Sequence, residues 1–263
     1  MKKKLEIMLP TETSKEGIAK EVIGLFKKNW KVSRNYNPKS FVTFKEKQNP
    51  FVHPVDEPAF EGHSYYLTEL VYASRANDTK TLEKIEGYEL GLNEIRKWNN
   101  KGGLCIYTSV LLYKLLTTPG YSSINPKQVK FHQGFYIHDV IPGSLLSMVA
   151  SRKVGLHAFL TFNDAVLDVS IQQIYDEYDL MEPAFFYGKF PPNTTFYGYE
   201  ETEKIINKYL YRILKDNGLT EEEWLDHHMT CAVNLVRKQA DELAANLKER
   251  RNEVSEALHL PAE

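Results

Sequence analysis

The sequence predicts an α+β fold in which a buried helix carrying Cys105 packs on an antiparallel sheet, flanked by N-terminal helices and a long C-terminal helical region. Three observations predict it. LCIYTSVLLYKLL, from Leu104 to Leu116, is almost wholly apolar and holds no Gly or Pro, the composition of a helix surrounded by core. In the next segments QVKFHQGFYIH alternates with the period of two of a strand, and GLHAFLTF followed by AVLDVS reads as two strands joined by a turn. From Glu200 onward the helical period returns.

In chain order, Thr13 to Glu16 form a capping box ahead of Ile18, Val22, Leu25 and Phe26, which predicts an amphipathic helix ending near Trp30. SFVTFK, from Ser40 to Lys45, alternates as a short strand. Gln48 to Pro58 carries three prolines, which disfavour helix and interrupt a sheet ladder, so an extended loop is expected. Leu82, Ile85, Leu92, Ile95 and Trp98 predict a helix from about Asp78 to Trp98, with Gly87 and Gly91 as weak points, stopped at NNKGG. The buried helix follows. Beyond it, GLHAFLTF and AVLDVS are joined by the turn pair Asn163 and Asp164. If that pair is central, residues whose numbers sum to 327 face each other, and His157 and Asp168 stand one diagonal step from that register, within side-chain reach.

The aromatic stretch from Ala184 to Tyr199 is expected to fill core beneath a proline-rich loop. Helices are expected from Glu200 to Lys215 and from Thr220 to Leu258. In the second, Met229, Val233, Val236, Ala240, Leu243, Leu247, Arg250, Val254 and Ala257 form a heptad-like seam. Packing of that seam within the chain is expected, with self-association through the tail as the alternative. The chain divides into 1–199 and a helical extension, 200–263, and the two can share one core.

With 263 residues and 42% hydrophobic content, the chain can bury a substantial core. Its 33 basic residues nearly balance 35 acidic ones, so electrostatics draw it to neither nucleic acid nor a membrane surface. No stretch approaches the ~18 apolar residues of a membrane span. The start MKKKLEIMLP lacks the apolar run of a secretory signal, so a cytoplasmic location is expected. Two cysteines are too few for a disulfide scaffold and must be explained as thiols. A P-loop, a dinucleotide fingerprint and a serine elbow are all missing from the sequence.

Cys105 follows Gly102 and Gly103 at the start of the buried helix, where free backbone N–H groups and the helix dipole stabilise a thiolate. His157 and Asp168, neighbours across the hairpin, complete a nucleophile, base and orienting acid. GGLCIYTSVLLYKLL followed by GLHAFLTF and AVLDVS resembles the core of the transglutaminase-like branch of the papain-like cysteine proteinase superfamily. The resemblance runs from about Asn99 to Ser170 and implies a papain-like fold with Cys105 as nucleophile, His157 as base and Asp168 as orienter. Two features depart from the family pattern: Phe159 stands where many relatives have Trp, and the insertion DVIPGSLLSMVASRK has no counterpart. Asn99 lies six residues before Cys105, where papain-like relatives often place a side-chain amide, and it is a candidate oxyanion donor beside the Cys105 backbone N–H. Asn100 is a second candidate, although Asn-Asn before Gly-Gly is also an ordinary helix stop.

The expected activity is cysteine-dependent hydrolysis of a peptide or side-chain amide through a thioester, on a protein or peptide substrate and without a cofactor. Transfer to an amine is the alternative within enzymes. A non-catalytic binding or assembly protein is the alternative outside them, because fold does not fix function. His227, His228 and Cys231 share one helical stretch but lack a fourth zinc ligand, and His132 and His138 are a weak pair, so no metal is expected.

Overall fold

A computed structural model describes residues 42–45, 58–139, 152–170, 186–187 and 194–257. The helix expected near 13–30, most of the loop from Gln48, most of the insertion and much of the aromatic stretch lie outside the described residues.

The described strands are β1 (Val42–Lys45), β2 (Val129–Asp139), β3 (Arg152–Phe162), β4 (Ala165–Asp168), β5 (Phe186–Tyr187) and β6 (Thr194–Glu200). They form one sheet in the order β1-β6-β2-β3-β4-β5, and every pairing is antiparallel. The β3–β4 turn has positive φ at Asn163 (49°) and Asp164 (62°), the left-handed geometry that a two-residue hairpin needs and that Asn and Asp tolerate. The register it sets pairs Leu160 with Leu167, Thr161 with Val166 and Phe162 with Ala165, as the sequence spacing predicts.

The α-helices are α1 (Pro58–Ala76), α2 (Tyr88–Asn100), α3 (Leu104–Thr117), α4 (Glu203–Asn217) and α5 (Glu221–Ala257). Helix α3 packs against β2 and β3 and also against α1, α2, α4 and α5, which explains why it is apolar all round. Leu104 to Leu112, Leu115 and Leu116 are all buried. Residues of α4 and α5, among them Ile206, Leu210, Trp224 and Leu235, belong to the same buried cluster as α3, so the C-terminal helices share the core.

Two expectations are corrected, and one helix is added. The single helix from Asp78 to Trp98 is a short 3-10 turn at Leu82–Lys84 and then α2, because Gly87 takes φ 83° at the N-cap and interrupts the helix. Helix α1 was not predicted. It begins at Pro58, where a proline loses no hydrogen bond, and it buries Tyr66, Leu67, Leu70 and Val71. On α5 the buried stripe is Trp224, Leu225, His228, Cys231, Ala232 and Leu235, whereas the expected seam is exposed at Val236 (42%), Leu243 (60%) and Leu247 (59%).

Candidate active site

The start of α3 is built by its two glycines. Gly102 has φ 71°, open to a residue without Cβ, and its N–H donates to the Asn99 carbonyl at 2.9 Å. Gly103 packs so closely on Trp98 that a Cβ would lie 2.8 Å from the indole Cε3. The Gly103 carbonyl then accepts from Ile106 N at 3.1 Å and Tyr107 N at 3.0 Å. Among the described residues, the N–H groups of Leu104 and Cys105 make no backbone hydrogen bond, so two donors are left at the turn that carries the sulfur. Cys105 itself is 5% exposed.

One turn further on, Ser109 Oγ donates to the carbonyl of Ala158 at 3.1 Å. That bond holds the first turns of α3 against β3 beside His157. The aligned strands leave no room for a side chain at Gly134, the partner of His157 in β2: a Cβ there would overlap the Tyr197 carbonyl of β6. His157 lies in an aromatic setting, with Phe159 stacked at 6.2 Å, Phe196 at 5.9 Å and Tyr136 edge-on at 5.8 Å.

His157 Nε2 donates to Asp168 Oδ2 at 2.6 Å, and both side chains are buried. The strong acceptor fixes the proton on Nε2 and leaves Nδ1 for other contacts. Nδ1 is buried without a hydrogen-bond partner among the described residues, and Cys105 is the side chain beside Asp168 that lies near enough to favour the charged ring. Burial alone pushes His157 below its ordinary value, but the Asp168 charge and hydrogen bond, with help from Cys105, overcome this and raise it to about 10. The ring is therefore an imidazolium at neutral pH, balanced by a carboxylate and next to a thiol. Asp168 Oδ1 accepts from both the N–H and the hydroxyl of Ser170, each at 2.9 Å.

The structure thus brings Cys105, His157 and Asp168 together. Asn99 is exposed at the end of α2, and its side chain makes no hydrogen bond to any of the three; its carbonyl serves the helix stop. Asn100, next in the chain, is exposed as well.

A second buried network, which the sequence did not reveal, lies behind α3. Glu94 Oε2 accepts from Tyr107 OH, from Trp224 Nε1 at 3.1 Å and from His228 Nε2 at 3.2 Å, while Tyr66 OH lies 3.1 Å from His228 Nδ1. Burial opposes the Glu94 charge, but His228, Tyr107 and Trp224 together hold its carboxyl below the ordinary range. The network ties α1, α2 and α5 to α3 two residues beyond Cys105. A periodicity search misses it because Glu94 and His228 are polar residues at core positions.

The remaining candidates have other partners. His228 faces Glu94, and His227 Nε2 lies 3.9 Å from Cys231 Sγ. Burial pushes the Cys231 thiol up, which makes it a poor nucleophile. His132 bonds Thr161 Oγ1 at 3.0 Å and is driven down to about 3 by burial and Lys130, whereas His138 bonds Thr194 Oγ1 at 2.8 Å. No group of three metal-ligating side chains occurs among the described residues. A cavity of about 340 Å³ lined by Tyr113, Lys130, Phe131 and Glu200 shares no residue with the Cys105 site. None of the described helices is long and apolar enough to cross a membrane. Compared with protein-family models, curated proteins and solved structures, the chain matches none.

Proposed function

We propose that the chain is a cysteine-dependent amide hydrolase on a transglutaminase-like, papain-like core, with Cys105 as nucleophile, His157 as acid and base, and Asp168 as orienter. The observation that supports this most is the His157 ring, held by Asp168 at 2.6 Å and raised to about 10 beside the thiol of Cys105. A neighbouring imidazolium favours ionisation of a sulfur, and the helix start adds the positive end of its dipole. The sulfur attacks the amide carbon, a C–S bond forms, and the carbonyl electrons move to oxygen. The N–H groups of Leu104 and Cys105 receive that oxyanion. His157 then gives its proton to the leaving amine as the C–N bond breaks, leaving a thioester and a neutral ring. Water attacks the thioester carbon as His157 takes its proton, a C–O bond forms, the C–S bond breaks with its electron pair returning to sulfur, and the carboxylic acid leaves. An acceptor amine in place of water would make the same site a transferase. The substrate class is a peptide or protein amide.

Mass spectrometry of the chain after incubation with a library of peptides and glutamine-containing peptides tests this reading. An acyl adduct on Cys105, absent from Cys105→Ser and discharged by hydroxylamine, is expected. A Cys105 that alkylates readily but acquires no acyl group and releases no product overturns it.

A second reading, assembly through the helical tail, is favoured by the exposed stripe of Val236, Leu243 and Leu247 on α5. Sedimentation of the wild type beside Leu243→Lys/Leu247→Lys separates the two: a larger species that the double variant dissolves supports assembly, and identical monomers refute it.

A further inference from the structure

We propose that Ser170 is a positioning residue, the fourth member of a Cys105–His157–Asp168–Ser170 chain, which fixes the orienting carboxylate. This inference rests on the reading of Cys105, His157 and Asp168 as reacting groups. Ser170 is wholly buried two residues beyond the end of β4, and it bonds Asp168 Oδ1 twice, through its N–H at 2.9 Å and its hydroxyl at 2.9 Å. The other oxygen, Oδ2, is left for His157 at 2.6 Å. A carboxylate has two equivalent oxygens and a broad terminal torsion, so the strand alone does not set which oxygen faces the ring or at what angle. The two donors on Oδ1 remove that freedom. They also satisfy the lone pairs of a buried anion that would otherwise be pulled away from the imidazolium. The serine lies two residues beyond the aspartate, so its N–H reaches back as in an Asx turn and its short side chain adds the second bond.

The hydroxyl therefore acts on His157 through Asp168, which can be read without any activity assay. Ser170→Ala keeps the backbone bond and loses the hydroxyl, and Ser170→Thr restores a hydroxyl. The His157 midpoint, followed by NMR of the ring nitrogens, is expected to fall by about one pH unit in Ser170→Ala and to return most of the way in Ser170→Thr. Ser170→Cys, close in size and a weak donor, gives the same titration readout if the alanine variant unfolds, and its midpoint is expected to fall with that of Ser170→Ala. An unchanged His157 midpoint in both the Ala and Cys variants overturns the role of Ser170 and leaves the triad intact. A wild-type His157 that already titrates near its ordinary value overturns the triad and the role of Ser170 together.

Discussion

Replacing Asp168 by Asn keeps the shape of the side chain and removes the charge that holds the imidazolium. In the wild type, His157 is raised from 6.5 to about 10 against burial, which pulls the other way, and Asp168 is the largest cause of the rise. Without the carboxylate, only Cys105 still opposes burial and the midpoint falls back toward 6.5, a change of up to roughly three units, equivalent to on the order of 4 kcal/mol of lost preference for the charged ring. A group bound more tightly to its proton when folded stabilises the fold fully below its unfolded pKa and not at all above its folded one. The His157 contribution is therefore complete below about 6.5, declines as pH rises and is gone above about 10. Urea unfolding of the wild type should show that decline, and Asp168→Asn should lack it. NMR titration of the ring gives the midpoint directly, and activity should drop on the order of 10⁴-fold, the scale of losing a triad's orienting acid. A wild-type midpoint near 6.5, or one that Asp168→Asn leaves in place, would refute the reasoning.

Two further outcomes follow from the scaffold around the site. Gly134→Ala places a Cβ into the Tyr197 carbonyl where β2 meets β6, so a loss of at least about 3 kcal/mol, or failure to fold, is expected in chemical denaturation. Glu94→Leu strips the acceptor from Tyr107, Trp224 and His228, and a loss of about 3 to 5 kcal/mol is expected. Because the Glu94 carboxyl is held low in the folded state, its contribution is present above about 4.5 and lost as the pH falls below that. The wild type should therefore lose part of its advantage over Glu94→Leu in acid, and a constant difference between the two at all pH values counts against the network.

The parts of the fold that were legible in the sequence are those set by local chemistry. Asn163 and Asp164 tolerate positive φ, so they fixed both the turn and a register that put His157 diagonal to Asp168. The apolar surface of Leu104 to Leu116 required neighbours on every side, and the helices and sheet supply them. The illegible parts depend on tertiary contacts. Helix α1 has buried His63, Ser64, Thr68 and Glu69 among its apolar residues, which blurs the helical period. His228 sits in the core because Glu94 meets it there, so the buried stripe of α5 includes a residue that hydrophobicity assigns to the surface, and the seam was drawn on the wrong face. Ser170 carried no signal at all: a serine after a short strand is commonplace, and its role appears only once Asp168 Oδ1 is seen between its N–H and its hydroxyl.

The most direct test of the paired thiol and imidazolium is the pH dependence of Cys105 alkylation by a small electrophile in a Cys231→Ser background, with and without His157→Ala. With His157 present, alkylation should already be fast near about pH 6 and change little toward pH 8, and His157→Ala should slow it at least tenfold at the acidic end. A slow reaction that rises only in alkali, alike in both proteins, would contradict an activated Cys105.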